Sequence, residues 1–240
     1  MMIDMRVIVL TTETPHHLYF VKEVSAIFNI IGIGIESKLP KPPFKTHHSF
    51  EDERDRYEIE KLLGEKKNRF EDFCETKAFN DINDERCIQF VADLKPDVIV
   101  TFGTGLINKA LINLCPNGFI NLHGGDPEYY RGLDTNMWAI YHQEFEKLIV
   151  TLHRLNSRLD DGEIIQQAQI KLNKNSRIIK LRAENTKLCV QLTLSALLSY
   201  NKFGYFISKP QKRKGLYYSF MPSNLKDVCV KNFEQYLQKL

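Results

Sequence analysis

Short apolar runs separated by turns and helical stretches constrain this chain more than any other feature. They are Met5-Arg6-Val7-Ile8-Val9-Leu10, Ile30 to Ile35, Val98-Ile99-Val100-Thr101-Phe102 and Phe119-Ile120-Asn121-Leu122-His123. Runs this short and this rich in β-branched residues favour strand over helix. Between the first two, Thr14-Pro15 reads as an N-cap with proline at the first helical position. Leu18, Val21, Val24 and Phe28 then recur at helical spacing. A strand–helix–strand opening with continuously apolar strands calls for a parallel sheet. The expected fold is α/β, an open, mostly parallel, Rossmann-like sheet.

The spacing predicts further elements. Lys38 to Phe50, with three prolines and His47-His48, reads as a loop. Helices are expected over 51–67 and 82–93, from Leu106, and over 134–143. Gly124 to Gly132 reads as a loop, and 148–172 as two extended strands joined through Asp160-Asp161-Gly162. A long helix fits 176–202 and a final one 224–239. Residues 1–175 thus read as the core, and 176–240 as a long helix plus a small C-terminal α/β extension. Tyr217, Tyr218, Phe220 and Met221 in that extension are apolar enough either to form a homodimer contact or to pack back on their own core.

Composition narrows the function classes. A chain of 240 residues can bury a sizeable core without staples. The cysteines Cys74, Cys87, Cys115, Cys189 and Cys229 are scattered with no C-x-x-C pair, which predicts a reducing, cytoplasmic setting. No apolar stretch has the length of a membrane span. A net charge of +3 is too small for a whole-surface nucleic-acid binder.

Ligands of open α/β sheets bind beyond the carboxyl ends of the strands. Phe102 is followed there by Gly103-Thr104-Gly105, which lets a ligand approach the backbone closely. Asn121 and His123, two apart on a strand, share a face, and Thr151 and His153 repeat that geometry. Asp160-Asp161-Gly162 adds carboxylates. An amide, an imidazole and an acid are the parts needed for acyl transfer to an amine. The first two can donate to a developing oxyanion, and the acid can orient the ring.

Asn121-Leu122-His123, the loop to Tyr130-Arg131-Gly132-Leu133, and Leu159-Asp160-Asp161-Gly162 resemble the signature of the folate-dependent formyltransferases. That signature is N-x-H, a loop ending in R-G or P-G, then L-D-x-G. Asp160 lies 39 residues after Asn121, the spacing the pattern expects. The resemblance implies the formyltransferase fold and 10-formyltetrahydrofolate as co-substrate, with no metal. It places Asn121, His123 and Asp160 in the catalytic triad. It puts Phe102, Gly103, Thr104, Gly105 and Leu106 on one wall of the folate pocket and Asn156, Leu159 and Asp161 on the other. Tyr129, Tyr130, Arg131, Asp134, Trp138 and His153 are expected on the substrate side. Relatives read H-P-S-L-L-P or H-G-S-L-L-P after the His. Here the sequence is His123-Gly124-Gly125-Asp126-Pro127-Glu128, which makes the expected lip polar and acidic.

The short segment after the long helix and the low charge resemble the sugar-nucleotide N-formyltransferases most. They imply a nucleotide-linked amino sugar such as dTDP-4-amino-4,6-dideoxyglucose, formylated for surface polysaccharide, with no nucleic-acid or membrane partner. Glycinamide ribonucleotide and methionyl-tRNA are the alternative acceptors. Two rivals come from other classes. One is a metal-dependent hydrolase using His123, His153 and Asp160, against which stands the lack of a helical His-x-x-x-His pair. The other is a non-catalytic nucleotide- or RNA-binding protein using the G-x-G turn and Lys209–Lys214.

Overall fold

The computed structural model describes residues 3–38, 41–64 and 68–240. Strands β1 (Ile3–Thr11), β2 (Phe28–Glu36), β3 (Thr76–Phe79), β4 (Val98–Phe102) and β5 (Phe119–His123) pair in parallel in the order β3-β2-β1-β4-β5. Two further strands, β7 (Ile149–Arg154) and β8 (Ile164–Gln169), extend the same sheet antiparallel beyond β5. Strand β6 (Tyr130–Gly132) pairs outside it with β9 (Leu216–Tyr218).

Alternation along each strand sends side chains to both faces. Val7, Val9, Val98 and Val100 enter one core with Phe20, Val21 and Val24 of α1 (Pro15–Ser25). Ile8, Leu10 and Ile99 enter a second core. Cys87, Phe90 and Val91 of α3 (Glu85–Leu94) join it, as does Leu111 of α4 (Lys109–Ile112). The long helix α6 (Leu181–Phe203), preceded by the 3-10 turn Ile178–Lys180, packs against α1, β7 and β8. The remaining helices are α2 (Phe50–Glu58), continued by a π-helical turn Ile59–Leu63, α5 (Thr135–Tyr141) and α7 (Ser223–Leu237), which packs on α5. Ile120→Val, a fully buried position in β5, is expected to cost about 0.5–1.5 kcal/mol, read from the urea unfolding midpoint.

Several expectations change in detail. The helix expected from Leu106 starts at Lys109, because the segment before it is tied down by side chains of neighbouring loops. Residues 39–40 of the expected loop and 65–67 of the expected 51–67 helix lie outside the described residues. Of the four C-terminal residues expected at a dimer contact, Met221 is fully buried and Tyr218 packs on Tyr130 and Trp138, while Tyr217 stays 62% exposed. Among the described residues no helix is long and apolar enough to cross a membrane.

Candidate active site

Strand register assembles the site. Thr101 of β4 lies beside Asn121 of β5, and Asn121 lies beside His153 of β7. The three polar side chains are therefore adjacent by pairing alone. Thr101 Oγ1 donates to Asn121 Oδ1 at 2.7 Å, and Asn121 Nδ2 donates to His153 Nε2 at 3.0 Å. His153 Nδ1 lies 2.8 Å from the Arg154 carbonyl, which can only accept, so Nδ1 carries the hydrogen and Nε2 is the acceptor. Each partner thus fixes the next. The Asn121 amide is held in one orientation, with one Nδ2 hydrogen left over.

Asp160 arrives from the β7–β8 loop in a left-handed conformation, φ 46°. The loop folds back tightly enough that a Cβ on Gly162 would sit 1.5 Å from the Arg154 carbonyl oxygen. Gln211 Nε2 clamps it by donating to the Asp160 and Gly162 carbonyls, each at 2.9 Å, and the Arg131 guanidinium donates to the Leu159 carbonyl. Asp160 Oδ1 is then 3.5 Å from His123 Nδ1 and 3.7 Å from His153 Nε2, while Oδ2 accepts the Gly132 N–H at 2.8 Å. His123 Nε2 donates to the Tyr130 carbonyl at 2.8 Å. Both ring nitrogens of His123 therefore face acceptors, and a ring carrying both hydrogens satisfies both.

His123, His153 and Asp160 are all buried, and Asn121 is the partly exposed member. Burial alone would raise the Asp160 carboxyl. The charge of His123 and the Gly132 N–H overcome it and hold the acid well below the usual carboxylate range. The structure thus brings Asn121, His123, Asp160 and His153 into one constellation. Among the described residues no group of three or more His, Cys, Asp or Glu side chains is arranged to hold a metal ion.

A cavity of about 350 Å³ lies next to this constellation, although none of its four side chains lines the wall. Gly124, which follows His123, and Gly132, which binds Asp160, form part of its wall. His16 and His17 of α1, Phe102 and Gly103 close another side, and Arg182, Asn185 and Thr186 of α6 a third. The lining guanidiniums are already neutralised. Arg182 donates to Glu58 and Asp55 at 2.6–2.7 Å, and Arg54 to Glu51 at 2.7 Å and Asp55 at 3.0 Å.

Of the six residues expected on the substrate side, only Asp134 lines this cavity. Tyr130 is buried with its hydroxyl on Glu144, and Trp138 packs on Tyr218 and donates to the Ser219 carbonyl. Their faces are consumed by the C-terminal segment. Tyr129 is covered by Lys147 and Arg213, and Arg131 is turned to the Asp160 loop. His153 sits between Asn121 and Asp160 rather than on the cavity. The acidic lip expected from the sequence is turned inward: Asp126 is 5% exposed and accepts the Glu128 N–H within its own turn, and the Glu128 carboxylate accepts the Lys212 N–H. Of the residues expected around folate, Phe102 and Gly103 border the cavity. Gly105 and Leu106 are exposed, Thr104 is partly exposed, and Asn156, Leu159 and Asp161 are partly exposed on the loop that carries Asp160.

His17 underlies Gly103, where a Cβ would come within 2.4 Å of its ring. Burial, with Arg182 adding in the same direction against the Thr12 carbonyl, pushes its imidazole down to about 3. The unfolded ring binds a proton below about 6.5 and the folded ring does not, so stability falls as pH drops from about 6.5 towards about 3. The neighbouring His16 is shifted the same way, chiefly by burial. The urea midpoint should decline steadily through that window, and a midpoint flat from about pH 7 to about pH 4 would contradict this assignment.

Comparison with solved structures finds the same fold. HypX from Aquifex aeolicus in complex with tetrahydrofolic acid aligns with a TM-score of 0.59 at 18% identity, over 93% of this chain and 31% of that one. This chain spans about a third of HypX. A sugar N-formyltransferase from Shewanella sp aligns with a TM-score of 0.61 at 12% identity, over 95% and 87% of the two chains. The formyltransferase PseJ from Anoxybacillus kamchatkensis, in complex with UDP-4,6-dideoxy-4-formamido-L-AltNAc and tetrahydrofolate, aligns with a TM-score of 0.51 at 19% identity, over 98% and 91%. The sequence pattern described as "Formyl transferase" matches residues 52–197, more than half of the chain, and the chain belongs to that family.

Proposed function

We propose that the protein is an N-formyltransferase that moves a formyl group from 10-formyltetrahydrofolate to the amine of a nucleotide-linked amino sugar. The observation that carries this reading is the convergence of Asn121, His123 and Asp160 beside a cavity, in a chain of the formyl transferase family. The folds shared with a tetrahydrofolate-bound HypX and a PseJ complexed with a formamido nucleotide sugar support it.

The folate, when bound, supplies a formyl carbon on a nitrogen leaving group. Phe102 to Leu106 and the Asn156, Leu159 and Asp161 loop would hold it. These segments leave β4 and β7, the two strands that pair with β5. Gly103 and Gly105 leave main chain accessible there, and Leu106, 54% exposed, offers apolar surface to a flat ring. In this reading the spare hydrogen of Asn121 Nδ2 donates to the oxyanion that develops as the amine attacks. His123 Nε2–H exchanges the Tyr130 carbonyl for the same oxygen. Asp160 stays ionised and holds the imidazolium. A carboxylate held so low is a weak base, so its role is orientation and charge, and the proton the amine loses would end on the folate nitrogen that departs as the new C–N bond forms.

The acceptor's amine-bearing ring would occupy the cavity. Its neutralised arginines suit a polyol, and they leave the diphosphate to lie outside. The dTDP-4-amino-4,6-dideoxy sugars are the first acceptors to test, with UDP-linked amino sugars next. The decisive screen incubates nucleotide-linked amino sugars with 10-formyltetrahydrofolate and follows tetrahydrofolate release together with the formamido product. Release matched by product with at least one such sugar is expected. Transfer to glycinamide ribonucleotide or methionyl-tRNA alone would overturn the acceptor class.

A further inference from the structure

The segment from Gly103 to Asn108 leaves β4 beside β1, where the strand order reverses, which is the crevice in which open α/β sheets bind ligands. A stretch with two glycines would be loose by itself, yet it is fastened along its length. Gly103, at φ 79°, rests on the His17 ring. The Gly105 N–H donates to Glu36 Oε2 at 2.7 Å. Asn83 Nδ2 donates to the Leu106 carbonyl at 2.9 Å, and Asn83 Oδ1 accepts the Asn108 N–H at 2.7 Å.

Glu36 is the unusual member. It ends β2 at 7% exposure, its Oε1 accepts the Ile82 N–H at 3.1 Å, and no salt bridge among the described residues meets its charge. Burying a carboxylate is costly unless hydrogen bonds compensate it, and here the compensation comes from two backbone N–H groups on two different loops. Its carboxylate therefore sets the distance between the Asn80–Asp84 turn and the Gly103–Asn108 strap. Asn83 repeats the connection from the same turn, with a donor and an acceptor matched to one carbonyl and one N–H.

We propose that Glu36 and Asn83 are positioning residues for the formyl donor, which preset the Gly103–Asn108 strap in the shape that receives the flat ring of the folate. This rests on the folate reading above. Neither side chain touches the reacting atoms, so their replacement should weaken donor binding and leave turnover alone. Glu36→Gln keeps the volume but has one acceptor oxygen for two N–H groups, and its amide opposes the second. Asn83→Asp keeps the acceptor for Asn108 and turns the donor facing the Leu106 carbonyl into an acceptor.

The test measures steady-state kinetics with 10-formyltetrahydrofolate and the amino sugar that the wild type formylates, and calorimetric titration with tetrahydrofolate alone. Glu36→Gln should raise the donor KM and the tetrahydrofolate Kd about tenfold, and Asn83→Asp about threefold. kcat at saturating donor and the acceptor KM should stay within about twofold. Asn83 lies at a partly exposed turn, so its variant provides the same reading should Glu36→Gln fail to fold. Unchanged donor KM and Kd in an active wild-type background would overturn the inference. So would losses spread equally over donor KM, acceptor KM and kcat. Wild-type protein that neither binds nor uses the folate would overturn the functional reading and this inference with it.

Discussion

Asn121→Ala is expected to lower formyl transfer on the order of 10²–10³-fold, in kcat rather than in either KM. The amide is the one member of the constellation that is partly exposed, and its Nδ2 has a hydrogen uncommitted to the protein. Loss of an oxyanion donor removes an interaction that strengthens only as the amine attacks, so ground-state binding should barely change. The fold should tolerate the change. Thr101 Oγ1 keeps the Ile120 carbonyl at 3.2 Å, and His153 keeps its bond to the Arg154 carbonyl. Circular dichroism and an unchanged tetrahydrofolate Kd would separate a chemical from a structural loss. An Asn121→Ala enzyme with wild-type turnover would remove the amide from the chemistry.

Arg182→Ala should cost about 3–5 kcal/mol of stability, read from urea denaturation. Glu58 is completely buried, and its two oxygens receive Arg182 Nε at 2.7 Å and Nη2 at 2.6 Å. The same guanidinium reaches Asp55 at 2.7 Å. Removing it leaves a carboxylate in the interior with, among the described residues, only the His16 imidazole, 3.7 Å away, as a partner of opposite charge when protonated. The penalty comes from the stranded charge more than from a lost attraction, so Glu58→Leu combined with Arg182→Met should recover most of the stability. A double variant no more stable than Arg182→Ala would show that the pair contributes through packing instead. Because Arg182 and its neighbours line the cavity, the recovered double variant should still raise the acceptor KM.

Strands β1, β2, β4 and β5 were legible because they are largely buried on both faces, and their sequences are therefore short, mostly apolar runs. Strand β3 was not, because it is a short edge strand in which Lys77 and Ala78 face solvent and only Phe79 is buried. The three-residue pair β6 and β9 carries no periodic signal at all. At the site, the alternate spacing of Asn121 with His123 and Thr151 with His153 was readable. What placed them together was strand register, with Asn121 opposite His153 and beside Thr101. Thr101, Glu36 and Asn83 went unnoticed, since a lone Thr in a buried run, a Glu at a strand end and an Asn in a turn look ordinary until their partners are known. The aromatic residues conceal their surroundings for the opposite reason. Tyr130 and Trp138 stand beside the signature in sequence, but Tyr218, contributed 80 or more positions later, covers them.

The position of the formyl group decides the account most directly. A crystal structure of the protein with an unreactive formyl-bearing folate analogue should show its formyl oxygen at about 2.7–3.2 Å from Asn121 Nδ2, with the His123 ring turned from the Tyr130 carbonyl towards the same atom. A well-occupied analogue whose formyl group lies out of reach of both Asn121 and His123 would contradict it.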